Sequence, residues 1–324
     1  MTQSRSVASV SLDLDDLWTY LRTRGDPRWR ERPSYLPLFL PQMLELLQQL
    51  GHRITFFVVG FDATCESNVP HLRALADHGH EIASHSFHHE PWLQLLPPNR
   101  LEEEILSAER ALQAATGMKP VGFRGPGFTW SPQLLEVLAQ HQYAYDASTL
   151  PTFIGPLARR YLIGSAHLSA EERSQRGALF GAFSDGFRPN IPYRWQLAGG
   201  HSLMEIPVTT MPVTRLPFHM SYLLYLSGFS TSLMRAYLRT AITTCKLFRV
   251  EPNFLLHPLD LLGGDHVPQL SFFPGMKLTT ERKRRVLTEA LEMLGSEFDL
   301  ITMGTHANLL SAGELAQRVP VLAT

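Results

Sequence analysis

Short apolar runs alternate with amphipathic segments along most of the chain. The apolar runs are rich in β-branched and aromatic residues, as is typical of buried strands. The amphipathic segments have the three- and four-residue spacing of helices, and two of them end at Gly51 and Gly117, where glycine favours a helix stop. This alternation predicts repeated βα units around a mostly parallel sheet.

The individual elements can be assigned from the same pattern. Strands are expected at residues 7–14, 54–60, 81–84, 121–123, 143–146, 203–209, 253–257 and 299–303. Helices are expected at residues 36–51, 70–78, 99–117, 131–142, 222–248 and 280–294. About seven strand–helix repeats predict an α/β fold, a distorted (β/α) barrel of about seven parallel strands. The rhythm breaks at about 150–200, which we interpret as an insertion within a single domain covering residues 1–324.

Composition narrows the class of protein. The chain has 324 residues, a formal net charge of −1 and 44% hydrophobic residues, which argues against nucleic acid as a partner. Its two cysteines, Cys65 and Cys245, argue against a disulfide framework. We see neither a signal peptide nor an apolar run long enough to span a membrane. We therefore expect a cytoplasmic protein, with peripheral contact to the inner face of the membrane as an option.

Titratable residues accumulate where the predicted strands end, which is where α/β barrels carry their active sites. Asp13, Asp15 and Asp16 stand at the end of the first strand, and His85 and His89 follow the third. Taken singly, each is more often a solvated or structural residue, but their convergence favours a site. Histidines four apart face the same way on a helical turn, so a pair of imidazoles and one carboxylate can hold a divalent metal with a position left for water.

Residues at other strand ends complete a hydrolytic site. Either Asp13 or Asp15 can act as general base, and His257 can act as general acid for the leaving group. Arg124 can orient the base through a charge-assisted hydrogen bond. The pattern predicts metal-assisted hydrolysis of an amide or an ester.

Five short motifs, in order between residues 11 and 260, resemble those of the polysaccharide deacetylases, carbohydrate esterase family 4. They are "SLDLDD", "HSFHH", "FRGPGF", "YDAS" and "LLHPLD". The resemblance implies a distorted (β/α) barrel that uses a divalent metal to remove acyl groups from sugars. The same resemblance implies that Asp15, His85 and His89 bind the metal. It further implies that Asp13 is the general base and that Arg124 orients it. His257 would be the general acid, supported by Asp146.

The first motif departs from the common Thr-Phe-Asp-Asp-Gly form, because Leu14 separates two aspartates. In an alternative register Asp15 is the base and Asp16 the ligand. We favour Asp13 and Asp15, since residues two apart on a strand point to the same face. Two imidazoles and a carboxylate suit Zn²⁺, which we expect foremost, and equally Co²⁺, Ni²⁺ and Fe²⁺.

Two segments bear on the substrate. In "FRPNIPYRW" we predict that Arg188, Tyr193 and Trp195 contact it, by pairing with phosphate and stacking on sugar rings, although an ordinary packed loop fits as well. Residues 216–238 are unusually apolar, which favours a core helix over a surface for a membrane or a lipid chain.

The predicted function is that of a deacetylase, a hydrolase of carbon–nitrogen bonds other than peptide bonds. Its expected substrate is an amino sugar of a glycan or of a lipid-linked glycan precursor. The alternatives are a deformylase or cyclic-amide hydrolase of the same superfamily, and a non-catalytic carbohydrate-binding relative.

Overall fold

A computed structural model describes residues 5–155 and 183–321. Its strands form one ten-stranded sheet. The strands are β1 Val7–Leu14, β2 Thr55–Val58, β3 Glu81–Ser84, β4 Gly122–Phe123, β5 Tyr145–Asp146, β6 Tyr193–Gln196, β7 Ser202–Glu205, β8 Asn253–Leu256, β9 Asp299–Ile301 and β10 Gln317–Arg318. The helices are α1 Leu17–Arg24, α2 Leu36–Leu50, α3 Val69–Asp77, α4 Pro98–Thr116, α5 Pro132–Gln140, α6 Met220–Phe229, α7 Thr231–Leu247, α8 Thr280–Glu297 and α9 Met303–Ser311.

The central part of the sheet is parallel. Parallel ladders join neighbouring strands in the order β7, β5, β4, β3, β2, β1, β8. β9 pairs with the first half of β1, β6 lies antiparallel on β7, and β10 lies on the outer edge of β6. The predicted α/β class and the run of about seven parallel strands are confirmed. The α2 and α4 helices end at Gly51 and Gly117, both in the left-handed conformation.

The barrel is distorted because its two end strands do not pair. Among the described residues no ladder joins β7 to β8; the gap is bridged by Asn253 at the start of β8. Its side-chain amide donates to the carbonyls of Ile206 and Pro207, at 3.4 and 3.3 Å, and its backbone amide donates to Thr209 Oγ1 at 2.8 Å. The seam is therefore held by one side chain and a few hydrogen bonds.

The strand register brings the candidate residues to one edge of the sheet. Asp13 on β1 is level with Phe57 on β2. Further along, Phe123 is level with Asp146, and Asp146 with Glu205. Because these strands are parallel, the residues at and just beyond their carboxyl ends converge at the same rim of the barrel.

The α9 helix, which the hydrophobic pattern did not predict, fills the opposite end of the barrel. Its Met303 and Ala307 pack against Phe57 and Tyr145 in a buried cluster. The half-buried carboxylate of Glu81 accepts hydrogen bonds from the Gly304 amide at 2.7 Å, from Thr55 Oγ1 at 2.6 Å and from the Tyr145 hydroxyl at 3.0 Å. A carboxylate at a helix N-terminus is favourable, and this one anchors α9 inside the barrel.

Some elements differ from the sequence prediction. The α1 helix and the β6 and β10 strands were not predicted, and β6 lies within the predicted insertion at 150–200, of which residues 156–182 lie outside the described part.

Lys283 of α8 is buried although it carries a charge. Its ammonium donates to the carbonyls of Leu259 and Leu262 at 2.7 and 2.9 Å. These backbone oxygens compensate for the loss of water around the ammonium.

None of the helices in the described part of the chain has the length and apolar character needed to cross a membrane.

Candidate active site

Asp15, His85 and His89 converge beyond the ends of β1 and β3. Asp15 Oδ1 lies 2.9 Å from His89 Nε2 and 3.5 Å from His85 Nε2. One ligand atom from each of the three residues lies within 4.8 Å of the others. Although burial opposes it, the two imidazoles hold the pKa of Asp15 well below its usual range, so the carboxylate is charged.

The donor set fits a divalent metal. Neither Asp15 Oδ1 nor His89 Nε2 forms a regular hydrogen bond with a described residue, although both atoms are buried. His85 Nδ1 lies 2.7 Å from the Arg124 carbonyl oxygen. Because a carbonyl only accepts, Nδ1 must carry the proton, which leaves the Nε2 lone pair facing Asp15 and His89.

The loop that carries both histidines is strained rather than helical. Ser86 and His89 have φ angles of 62° and 49°, in the left-handed region that non-glycine residues rarely adopt. The loop does not form the helical turn that would align histidines four apart; two left-handed residues turn the His85 and His89 side chains toward each other instead. Strain of this kind persists only where the surroundings enforce it.

Glu104 of α4 provides that enforcement, and the sequence analysis missed it. Its buried Oε2 accepts hydrogen bonds from the backbone amides of Phe87 and His88, at 3.1 and 2.9 Å. Its Oε1 lies 2.5 Å from His88 Nδ1. On the other side of the loop, Arg22 donates to the carbonyls of His88 and His89 at 3.2 and 3.4 Å.

Asp13 lies on β1 beside the triad and is tied to Arg124. Arg124 Nη1 is 2.5 Å from Asp13 Oδ1 and also donates to Ser11 Oγ at 3.0 Å. The guanidinium is fully buried, with Nε donating to the Ala147 carbonyl at 3.0 Å and with the Phe57 ring 4.2 Å from its central carbon. This surrounding holds the Asp13 carboxylate in one orientation.

Asp16, the ligand in the alternative register, points away from the triad. It is the N-cap of α1, and its Oδ1 accepts hydrogen bonds from the amides of Leu17 and Tyr35 at 2.7 and 2.9 Å. The carboxylate is thus used for capping.

His257 directly follows β8, the strand paired with β1, and has Asp260 as its carboxylate partner. Its Nδ1 is 3.8 Å from Asp260 Oδ2, which also accepts the His257 amide at 2.8 Å. Although burial opposes the charge, the carboxylates of Asp260, Asp13 and Asp15 raise the pKa of His257 to about 9. His257 is accordingly protonated at neutral pH.

Asp146 is paired differently from the prediction. No hydrogen bond or ion pair joins it to His257 within the described residues; it lies instead beside Glu205, its register partner on β7. Burial raises the pKa of both carboxyl groups, and repulsion from Asp146 raises that of Glu205 further. Ser148 Oγ donates to Asp146 Oδ1 at 2.6 Å, and Thr149 Oγ1 donates to Glu205 Oε1 at 2.6 Å. Two buried carboxyl groups so arranged favour holding a proton between them.

Part of the chain matches a known protein family. Residues 6–145 match the family model described as "Polysaccharide deacetylase". These residues belong to the polysaccharide deacetylase family. The matched part of the polysaccharide deacetylase model includes Asp13, Asp15, His85, His89 and Arg124 and ends just before Asp146.

Individual relatives agree with the family match. A chitooligosaccharide deacetylase of Sinorhizobium fredii is 33% identical over 106 residues, which are 32% of this chain and 47% of that protein. The chain spans about a third of the length of the first curated relatives it matches, between 31% and 37%.

Solved structures share the fold over nearly the whole chain. A putative polysaccharide deacetylase from Mycobacterium smegmatis superposes with a TM-score of 0.65 at 20% identity, covering 100% of this chain and 96% of that one. The Puue allantoinase superposes with a TM-score of 0.56 at 16% identity, covering 97% and 93%. At these identities the likeness shows the fold alone.

The structure does not support the predicted sugar contacts of Tyr193 and Trp195. Tyr193 and Trp195 are 1% and 2% exposed, so neither ring offers a face to a sugar. Trp195 stacks on Trp130, with ring centroids 5.2 Å apart, and donates Nε1–H to Glu205 Oε2 at 3.2 Å. Arg188 lies over Trp130, and its Nε donates to Asp185 Oδ1 at 2.7 Å. Tyr193 and Trp195 are buried because β6, unrecognised in the sequence, packs them against α5 and β7, whereas Arg188 precedes that strand and is half-buried.

Proposed function

We propose that this protein is a metal-dependent hydrolase that removes an N-acyl group, acetyl foremost, from an amino sugar of a glycan or of a lipid-linked glycan precursor. One observation carries the proposal: the ligand set of Asp15, His85 and His89 shares one rim of the sheet with a carboxylate fixed by an arginine and with a protonated histidine. Three ligands accompanied by a base and an acid are suited to amide hydrolysis. The family match of residues 6–145 supports the same chemistry.

The proposed roles follow from the geometry. Asp15, His85 and His89 hold the metal, which when bound supplies Lewis acidity and lowers the pKa of a water molecule. Asp13, oriented by Arg124, accepts the proton of the attacking water. His257 donates a proton to the leaving nitrogen as the C–N bond breaks, and Asp260 keeps it protonated until then.

Proton delivery is needed because the leaving group is an amine. An amide anion is too basic to depart unaided, whereas a neutral amine leaves readily. A histidine with a pKa of about 9 is protonated at neutral pH, and His257 follows the strand next to the one that carries the base. The base Asp13 is paired with an arginine, whereas the acid His257 is surrounded by carboxylates. These different environments support the assignment of separate acid and base residues.

The lipid-linked form of the substrate has support from α6. This helix starts at the site, where Ser221 Oγ donates to Asp260 Oδ1 at 2.9 Å. Toward its other end it exposes two aromatic rings, Tyr225 and Phe229, which are 58% and 71% exposed and 5.2 Å apart. Exposed aromatic rings near an active site suit contact with a lipid chain.

A release assay tests the proposal. The purified protein is loaded with Zn²⁺, Co²⁺, Ni²⁺ or Fe²⁺ and given tetraacetyl-chitotetraose, UDP-linked N-acetylglucosamine or polyprenyl-diphosphate-linked N-acetylglucosamine, and acetate and formate are quantified. We expect acetate, lost on chelation and in Asp15→Asn. Formate from a formylated substrate, or ring opening of allantoin, in the absence of acetate release would support the deformylase or cyclic-amide alternative. Sugar binding without any product would identify a non-catalytic relative.

The lipid-linked substrate has a separate test. Replacing Tyr225 and Phe229 by serine is expected to lower the rate on the polyprenyl-linked sugar and leave the rate on chitotetraose unchanged. Acetate release from the soluble oligosaccharide alone would exclude the lipid-linked precursor while leaving deacetylation in place.

A further inference from the structure

A second histidine lies on the acid side of the site and has no role in the proposed mechanism. His219 is the N-cap residue of α6, and its side chain makes no capping hydrogen bond. It is a polar residue in an otherwise apolar stretch of sequence, and it is only 9% exposed. A buried imidazole in such a stretch calls for a partner.

The start of α6 is fixed against the turn that carries the proposed acid. Ser221 Oγ donates to Asp260 Oδ1 at 2.9 Å, while Asp260 Oδ2 accepts the His257 amide at 2.8 Å. This connection places the rings of His219 and His257 with their centroids 6.1 Å apart. The ring of Tyr222 meets His219 edge-on at 4.7 Å and restrains its orientation.

One ring nitrogen of His219 is free to meet a ligand. Its buried Nδ1 has no hydrogen-bond partner among the described residues. His80, also buried, differs because its Nδ1 accepts the Ile54 amide at 3.2 Å. Burial, followed by the positive charge of His257, lowers the pKa of His219 to about 3. The neutral ring therefore offers one donor and one acceptor.

His219 also lies within the electrostatic reach of the catalytic groups. Asp260 and Asp13 favour its charged form and Arg124 opposes it, so the ring lies near both the proposed base and the proposed acid. Its centroid is 6.1 Å from that of His257, the residue that would protonate the leaving group.

We propose that His219 is a substrate-contacting residue on the leaving-group side: its imidazole hydrogen-bonds a hydroxyl group of the amino sugar and holds the scissile nitrogen against His257. This inference rests on the proposed function and adds a binding role for the sugar. It predicts that His219 discriminates between leaving groups: a hydroxylated amine uses the contact, and an aryl alcohol does not.

The test compares two leaving groups in His219→Phe, which keeps a ring of similar size and removes both nitrogen atoms. With tetraacetyl-chitotetraose, or with the polyprenyl-linked sugar if that is the substrate accepted, we expect kcat/KM to fall about tenfold or more, the effect of losing one buried hydrogen bond. With p-nitrophenyl acetate, whose leaving group has no sugar hydroxyl and departs without a proton, we expect a change of less than about twofold. His219→Gln, which retains a donor and an acceptor, is expected to recover part of the loss.

Binding without turnover provides a second measurement. In an Asp13→Asn background, calorimetry with the same sugar is expected to show weaker binding when His219→Phe is added. Zinc content and the melting temperature show whether the site and the fold are intact. His201→Phe, at an exposed histidine on the β6–β7 hairpin, is the matched control and is expected to change neither rate nor affinity.

The outcomes separate this inference from the proposed function. A wild-type protein that hydrolyses neither class of substrate contradicts the proposed function. An active wild type whose His219→Phe variant keeps its rate and affinity for the sugar, or loses both substrates equally while retaining metal and fold, overturns the role of His219.

Discussion

Three aspartates within four positions have three different surroundings. Asp13 is held by a buried arginine, Asp15 faces two imidazoles, and Asp16 caps α1. Alternation along β1 separates the first two from the third, because residues two apart share a face. Asp15 and Asp16 are adjacent and have identical side chains, but they lie on different faces and therefore have different partners.

Replacing each aspartate singly by asparagine tests this division. We expect Asp15→Asn to lose bound zinc after dialysis, since one of three ligands loses its charge. Asp13→Asn should retain zinc and lose about 10²- to 10⁴-fold in rate, the usual contribution of a general base. Asp16→Asn keeps an oxygen that can accept both amides and should retain metal and rate. Zinc loss in Asp16→Asn alone would establish the other register.

Asp260, the partner of His257, should affect how the rate depends on pH. The carboxylate of Asp260 raises the pKa of His257, and an acid must be protonated to act. In Asp260→Asn the pKa of His257 falls, so the decline of kcat/KM on the alkaline side should begin at lower pH than in the wild type. Asp299→Asn, at an exposed aspartate, is the control. An alkaline limb at the same pH in both variants would show that another group is the acid.

At the scale of elements, the loop that carries the proposed ligands His85 and His89 depends on a neighbouring helix. Residues 85–89 contain two left-handed residues, and α4 supplies Glu104 to bind the loop amides. The sequence contained a signal for this residue: Glu104 stands among Leu101, Ile105 and Ala108 on the buried face of an amphipathic helix. A carboxylate at a core position of a helix indicates a buried partner.

Removing this support should weaken metal binding. We expect Glu104→Ala to lower zinc affinity about 10- to 100-fold, as is usual for groups that orient ligands, while the three ligands remain in place. Competition with a chromophoric chelator measures the affinity. Glu103→Ala, at the adjacent exposed glutamate, should leave it unchanged. Equal affinities in the two variants would show that the loop keeps its shape without α4.

At the scale of the whole molecule, the barrel depends on its seam. Asn253 joins β8 to the segment after β7 and also accepts the Ser11 hydroxyl at 3.1 Å. Ser11 in turn accepts from Arg124, so the seam is connected to the residue that orients Asp13. Closure of the barrel and alignment of the base share one network of hydrogen bonds.

Asn253→Leu should therefore affect stability. The substitution leaves the Ile206 and Pro207 carbonyls without their donor, and we expect the free energy of unfolding to fall by about 1–3 kcal/mol. Urea denaturation measures the loss. Asn99→Ala, at an exposed position of α4, is the control and should lie within about 0.5 kcal/mol of the wild type. A similar stability for both variants would mean that the seam carries little of the fold.

The sequence by itself determined most of the strands and helices and the candidate ligands. Strand and helix periods are local, and polar residues after apolar runs mark the strand ends, so Asp13, Asp15, His85, Arg124 and His257 could be selected before any contact was known. The same reasoning failed for Tyr193 and Trp195, since a short strand among polar residues has no clear period.

The tertiary structure decided which groups are partners. Asp146 faces Glu205 because β5 and β7 are adjacent in register, and Asp260 serves His257 because a tight turn follows β8. Glu104 and His219 reach the site only because α4 and α6 pack beside it. Such pairings depend on contacts between residues far apart in the chain, and no local period of the sequence encodes them.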